Sequence, residues 1–248
     1  MRKPLQGVLN IVRFNRHFYI GVGVLILVLL CLLPFLSTLR QMFLAAGILS
    51  AAAVTLISLA ASWYIYDYSD LYRLEYLKFN GVKTILNVNA GFDETSEIIA
   101  TKFPVARLTV CDFYDAEKHT EISLKRARKA YPPYPNTLAV RAEKLPFADN
   151  SFERIVVIFA AHEVRDPQER ILFFKELSRV LAPNGKIIVT EHLRDLNNFA
   201  VYTLGFLHFY SKSSWQHTFA EANLRIIREV KTTPFVTTFI LKNHGNTP

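Results

Sequence analysis

Apolar residues are distributed along this chain in two ways. Between residues 18 and 66 they are almost unbroken: no charged residue falls in 18–39, Arg40 stands alone, and a second uncharged run fills 41–66. A helix needs ~20 apolar residues to cross the hydrocarbon layer, so each run suffices for one span. Pro34 sits where the first helix should stop or kink. The first run is too long for a cleaved secretory signal and is followed at once by a second. Ala46, Gly47, Ser50 and Ala51 put small residues four apart, which lets helices approach closely. The spacing suits packing within the hairpin and leaves a homo-oligomer open.

From residue 67 the pattern becomes mixed. Leu71, Leu74, Tyr76 and Leu77 predict an amphipathic linker helix at the membrane surface over 67–80, closed by Asn80 and Gly81. Beyond it, short apolar runs alternate with helical stretches. Strands are expected at 84–88, 107–112, 137–141, 152–159 and 186–192. Helices are expected at 94–102, 116–130, 166–181 and 215–222. Two closing strands follow at 224–230 and 236–242, linked too briefly to run parallel. Such alternation predicts an α/β, Rossmann-like, mostly parallel sheet with helices on both faces, here preceded by two transmembrane helices. The domains expected are a basic N-terminus (1–17), a transmembrane hairpin (18–66), the linker helix (67–80) and the globular domain (81–248).

Composition sharpens this picture. The 248 residues are 51% hydrophobic and carry a net charge of +8, which leaves room for one globular domain beside the membrane part. Arg2, Lys3, Arg13 and Arg16 precede the first span and only Arg40 lies between the two, so both termini and the globular domain are expected in the cytoplasm, at the inner membrane. Trp63, Tyr64, Tyr66 and Tyr68 cluster where the second span would leave the bilayer. Lys125, Arg126, Arg128 and Lys129 form the densest basic run, read as a solvated helix face rather than a nucleic-acid site. Cys31 and Cys111 belong to no CxxC or Cys/His cluster, so no structural zinc is expected.

Two segments resemble a known family. AEKLPFADNSFE at 142–153 and FKELSRVLAPNGK at 174–186 are similar, in sequence and in spacing, to blocks of class I S-adenosylmethionine-dependent methyltransferases of the type 11-like, small-molecule kind. The resemblance covers about residues 80–242 and implies a seven-stranded sheet with an antiparallel last strand, and S-adenosyl-L-methionine as cofactor. The glycine-rich turn of that family corresponds to NVNAGFD at 87–93. Only Gly91 of its three glycines is kept: Asn87 replaces the acidic residue, and Asn89 and Asp93 replace glycines. Asn and Asp tolerate left-handed backbone better than other residues. Asp112, at the end of the second strand, matches the residue that accepts the ribose hydroxyls. Arg141 stands where the family has an aspartate, which leaves adenine contacts to Ala142 and Glu143. Asn87, Asn89, Ala90, Gly91, Phe113 and Phe159 complete the implied cofactor set.

Methyl transfer is an in-line displacement that needs alignment above all, with a base for a hydroxyl or enol nucleophile. Catalytic candidates lie at the carboxyl ends of strands: His162 and Glu163 after the fourth, Glu191 and His192 at the end of the fifth, and His208 in the aromatic insertion 199–215. No helix-spaced ligand pair supports a metal. A catalytic domain beside a membrane hairpin predicts methylation of a lipophilic small molecule, such as a quinone, polyene pigment or lipid, with the bilayer as partner and no nucleic acid. The alternative is an inactive scaffold of the same fold, motivated by the missing glycines. A nicotinamide enzyme is excluded, because the turn lacks GxGxxG.

Overall fold

The computed structural model describes residues 3–245; Arg2 lies outside them. An amphipathic helix, α1 (Gln6–Phe14), leads into α2 (Arg16–Leu32), and a short turn at Leu33–Phe35 holds Pro34 where the first run was expected to break. The chain returns through α3 (Thr38–Trp63), which starts before Arg40. Both helices are long and apolar enough to cross a membrane, and their large side chains, Phe18, Leu25, Phe43 and Leu49 among them, are exposed.

α3 ends in a single π-turn at Tyr64–Tyr68. The expected amphipathic linker helix does not form. Residues 67–80 hold one 3-10 turn, Asp70–Arg73, and Leu74 adopts a left-handed conformation (φ 52°) that ends it. Leu71, Leu74 and Leu77 are buried in the core instead of lying on a surface. Their apolar spacing serves the sheet, which buries them one by one as the chain runs across it.

The globular domain is a seven-stranded sheet in the order β3-β2-β1-β4-β5-β7-β6. β1 (Thr84–Asn89), β2 (Arg107–Asp112), β3 (Leu138–Ala139), β4 (Phe152–Ile158) and β5 (Leu181–His192) pair in parallel. β7 (Val236–Asn243) runs antiparallel between β5 and β6 (Leu224–Thr233). β1, β4 and β5 are nearly continuous apolar runs because both faces are covered. Helices α4 (Ser96–Lys102), α5 (Ile122–Ala130), α6 (Pro167–Val180), α7 (Leu196–Tyr202) and α8 (Lys212–Glu221) complete the domain. α6 is capped by Asp166, whose carboxylate accepts the Gln168 and Glu169 N–H groups, and it buries Ile171, Phe174 and Leu177 as their spacing predicts. α5 is shorter than expected: residues 116–121 form turns, pinned by Asp115 and His119. β3 keeps only two residues of its expected five, at the edge of the sheet.

α1 belongs to the domain as much as to the hairpin. Asp67 accepts the Gly7 and Val8 N–H groups at 2.7 and 2.8 Å, so the helix N-terminus is capped from 60 residues away. Glycine is required at position 7, because a Cβ there would lie 2.3 Å from Tyr66 Cβ. At the other end, Arg126 donates to the Phe14 carbonyl at 2.7 Å and contacts His17 Nδ1 at 2.9 Å.

Candidate active site

Polar and titratable side chains gather at two parts of the sheet's carboxyl edge. The first lies at β1 and β2. The turn after β1 makes Gly91 its one left-handed residue (φ 88°), and an added Cβ would sit 2.7 Å from the Tyr114 ring. Asn89 and Asp93 need no left-handed tolerance. Asp93 replaces glycine to a different end: its Oδ1 accepts the Thr95 and Ser96 N–H groups and so caps α4. Asn87 is buried and donates to the Thr95 and Ser96 hydroxyls, which ties strand to helix.

Asp112 ends β2 beside this turn. Its Oδ1 accepts the Gly91 N–H at 2.7 Å and the Tyr114 N–H at 2.9 Å, and its Oδ2 is paired with Arg128. Arg128 also lies 4.5 Å from the Tyr114 ring centroid. This corrects the reading of the basic run on α5 as a solvated face: Arg128 reaches back into the crevice and Arg126 holds α1. Over the opening, Phe14 of α1 packs edge-on to Phe92 and Tyr131, with ring centroids 5.7 and 6.2 Å apart. Asn10 accepts from the Tyr131 hydroxyl at 3.0 Å and donates to Glu94.

The crevice lined by Asn89, Gly91, Phe92, Asp93, Asp112, Arg128 and Tyr131 has ≈10 Å³ of free cavity, against the roughly 300 Å³ or more of ordinary ligand pockets. Its polar groups nonetheless fit a nucleoside. Asn89 Nδ2 and Asp93 Oδ2 are buried there without hydrogen-bond partners, a donor and an acceptor left for something else. Asp112 Oδ2 is held by the part-exposed Arg128 side chain, the one partner it has among the described residues. Asp112, Asn89 and Asp93 thus bring two carboxylates and an amide together at the crevice, with Arg128 across from them. Asn87, Ala90 and Gly91 shape the turn. Phe113 is buried in the core, Ala142 packs against that core, and Glu143 is ion-paired with Arg141 at the surface.

The second part lies at β4 and β5. Phe159 follows β4 with φ 50°, a strained conformation for a bulky residue and one that marks functional sites. Its ring stacks on His192 at 5.1 Å, and Phe209 stacks on the imidazole at 4.8 Å. His192 Nδ1 faces two acceptors, Asn198 Oδ1 at 3.2 Å and the Phe235 carbonyl at 3.1 Å. The proton therefore resides on Nδ1 and the lone pair on Nε2. Burial pushes this histidine down to about 4, so it is neutral near pH 7. Nε2 meets the Tyr66 hydroxyl at 2.8 Å. Tyr66, read from sequence only as part of an aromatic belt, is thus a site residue. Its 126-residue separation from His192 left no local signal.

His162 is the opposite case. Burial alone would lower it, but Glu191 (Nδ1 to Oε2, 2.7 Å) and Glu163 (3.3 Å) outweigh burial and hold it as imidazolium well above its ordinary value. Burial likewise would raise Glu163, and His162 and Arg165 reverse that, to about 2. His208 is pushed down to about 3 by burial and by the neighbouring His162 and Arg165 charges. His162, Glu163 and His208 present ligand-type atoms within 4.8 Å of one another. Arg165, which donates to the His208 carbonyl at 2.9 Å and lies 3.1 Å from Glu121, puts a cation of the protein's own among them. The predicted catalytic residues thus divide: His192 directs its Nε2 lone pair at the Tyr66 hydroxyl, while His162 is ion-paired with Glu163 and Glu191 and His208 is held uncharged.

A parallel sheet with β7 inserted antiparallel beside β5, the turn around Gly91 and an acidic residue closing β2 give the globular part the fold of class I S-adenosylmethionine-dependent methyltransferases. Residues 86–189 match the methyltransferase domain family. The chain is 28% identical over 122 residues to the ubiquinone/menaquinone biosynthesis C-methyltransferase UbiE of Geotalea daltonii, covering 48% of this chain and 50% of that protein. It is 33% identical over 70 residues to the demethylmenaquinone methyltransferase of Renibacterium salmoninarum, covering 28% of each. The chain thus spans half or less of the length of these relatives. Among solved structures, the mitomycin 7-O-methyltransferase MmcR aligns with a TM-score of 0.51 over 87% of this chain and 60% of that one at 14% identity, which shows the shared fold.

Proposed function

We propose that this protein is a membrane-anchored, S-adenosylmethionine-dependent methyltransferase acting on a lipophilic, quinone-like ring. The observation that carries the reading is the reach of Tyr66, from the base of an apolar helix, to the neutral His192 at the end of β5. A site built this way meets a substrate that resides in lipid. The relatives whose names specify quinone substrates support the acceptor class. α1 is hydrogen-bonded to the domain while α2 and α3 form a hairpin, so N-terminus and domain share one side of the bilayer; the basic residues before α2 favour the cytoplasm.

When bound, the cofactor's sulfonium offers its methyl group to displacement. Asp112, Asn89 and Asp93 would hold its nucleoside. His192 Nε2 takes the proton of the acceptor's hydroxyl, which raises electron density on that oxygen and on the ring carbon beside it. Phe159, Tyr202 and Phe209 exclude water.

The test is transfer of a tritiated methyl group to demethylmenaquinol by the full chain in nanodiscs. Label in the lipid extract, abolished by His192→Asn, is expected; protein that binds cofactor but labels none of a panel of quinols and polyenes would refute the acceptor class. A second reading, a scaffold without turnover, draws on the Asp112–Arg128 pair and the closed crevice. It requires that S-adenosylhomocysteine bind neither the native chain nor Arg128→Ala.

A further inference from the structure

Tyr66 raises a question that the proposed chemistry does not answer. Its phenol lies where the one available lone pair of the site points. His192 has a single ring nitrogen free to receive a proton, because Nδ1 is committed to Asn198 and Phe235. The Asn198 amide is fixed in turn: its Nδ2 donates to Asp195 and to the Phe235 carbonyl at 3.0 Å each. The imidazole is clamped between Phe159 and Phe209, with Tyr202 edge-on at 5.8 Å. Into this fixed frame Tyr66 inserts an aromatic ring, 5.9 Å from Phe159 and nearly perpendicular to it, with its hydroxyl on Nε2.

We propose that Tyr66 is an internal stand-in for the acceptor: it occupies the position of a hydroxylated aromatic ring, and the acceptor reaches His192 by displacing it. This rests on the reading of the domain as a methyltransferase with a ring-shaped acceptor, and it adds the place of binding and the segment that gates it. Tyr66 lies at the centre of the π-turn that ends α3, a rare turn that recurs at functional sites. The turn leans on α1 through Gly7, where only a glycine leaves room, and through the Asp67 cap. Beside it, Trp63 and Tyr68 are exposed, with rings 5.2 Å apart, at the end of the apolar helix. Exchange of one phenol for another conserves both the hydrogen bond to Nε2 and the aromatic contacts, so the gate opens at little net cost for a hydroxylated ring and at the loss of a buried hydrogen bond for a bare one.

The experiment uses the full chain in nanodiscs, with 3-fluorotyrosine placed at position 66 and 1-naphthol as probe. Saturation with 1-naphthol should move the fluorine resonance from a buried to a freely rotating environment, and naphthalene should not. Tyr66→Ala should bind 1-naphthol about tenfold more tightly than the native chain, and His192→Phe in that background should remove the gain. A Tyr66 that merely ties linker to domain gives the opposite: 1-naphthol leaves the resonance unmoved, or Tyr66→Ala binds no better, and either result overturns the inference. Displacement by naphthalene would overturn the role of the hydroxyl. Titration of the same samples with S-adenosylhomocysteine separates the two levels. Cofactor binding with an immobile Tyr66 sinks only the stand-in; loss of cofactor binding with a displaced Tyr66 sinks the methyltransferase reading and leaves the ring site standing.

Discussion

At the ends of β1 and β2, Asp112 is held by Gly91, Tyr114 and Arg128, α1 covers the opening, and ≈10 Å³ remains free. At the ends of β4 and β5, the aromatic frame of Phe159, Phe209 and Tyr202 holds His192 neutral with one lone pair turned toward Tyr66. On the proposed function, each region has its own side chain where a ligand would sit, and each occupant copies part of that ligand's chemistry. Arg128 supplies donors to Asp112 as ribose hydroxyls would, and Tyr66 supplies a hydroxylated ring to His192. The occupants differ in kind. Arg128 is part-exposed and pairs with a buried Asp112 from the solvent side, whereas a buried hydrogen bond inside an aromatic frame gives way only to a close substitute. On the proposed function, the end at β4 and β5 is the more selective of the two.

The comparison can be broken at several points. The largest effect is expected at His192: replacement by Asn should lower methyl transfer about 10²–10⁴-fold while S-adenosylhomocysteine binds as before, measured by initial rates and calorimetry. If the two fall together, the regions are not separable. Next comes pH. His192 is held below its ordinary value, so the unfolded chain takes up its proton first, and folding stability should fall as pH drops from 6.5 toward about 4. The loss is on the order of 2–3 kcal/mol, read from denaturation midpoints, and His192→Asn should flatten it. His162 acts in the other sense: its contribution is whole below pH 6.5 and fades as pH rises toward its raised value. Gly91→Ala should cost roughly 1–3 kcal/mol, since its Cβ meets Tyr114 and its φ is positive; unchanged thermal stability would mean the turn is looser than its geometry states.

How much of this was legible in the sequence follows from the range of the interactions. β1, β2, β4 and α6 are written locally, as apolar runs and helical spacing, and the structure places them within a residue or two. The places of Asp112 and His192 were legible, since the apolar runs end at them and the structure puts them at the carboxyl ends of β2 and β5, where such folds keep their chemistry. The linker at 67–80 was misread because Leu71, Leu74 and Leu77 have helical spacing but meet the sheet. Asp93 was read as a tolerated substitute for glycine and is a helix cap. Arg128 looked like one cation of four, and Tyr66 one aromatic of four. Their partners lie 16 and 126 residues away, beyond what periodicity reports.

The measurement that bears most directly on the whole is calorimetric titration of the full chain in nanodiscs with S-adenosylhomocysteine, for the native sequence, Asp112→Ala and Arg128→Ala. The native chain should bind, Asp112→Ala should bind at least about tenfold more weakly, and Arg128→Ala about three- to tenfold more tightly, the worth of one partly exposed ion pair. Absence of binding in all three, or Arg128→Ala weakening it, would contradict a crevice that opens to a nucleoside.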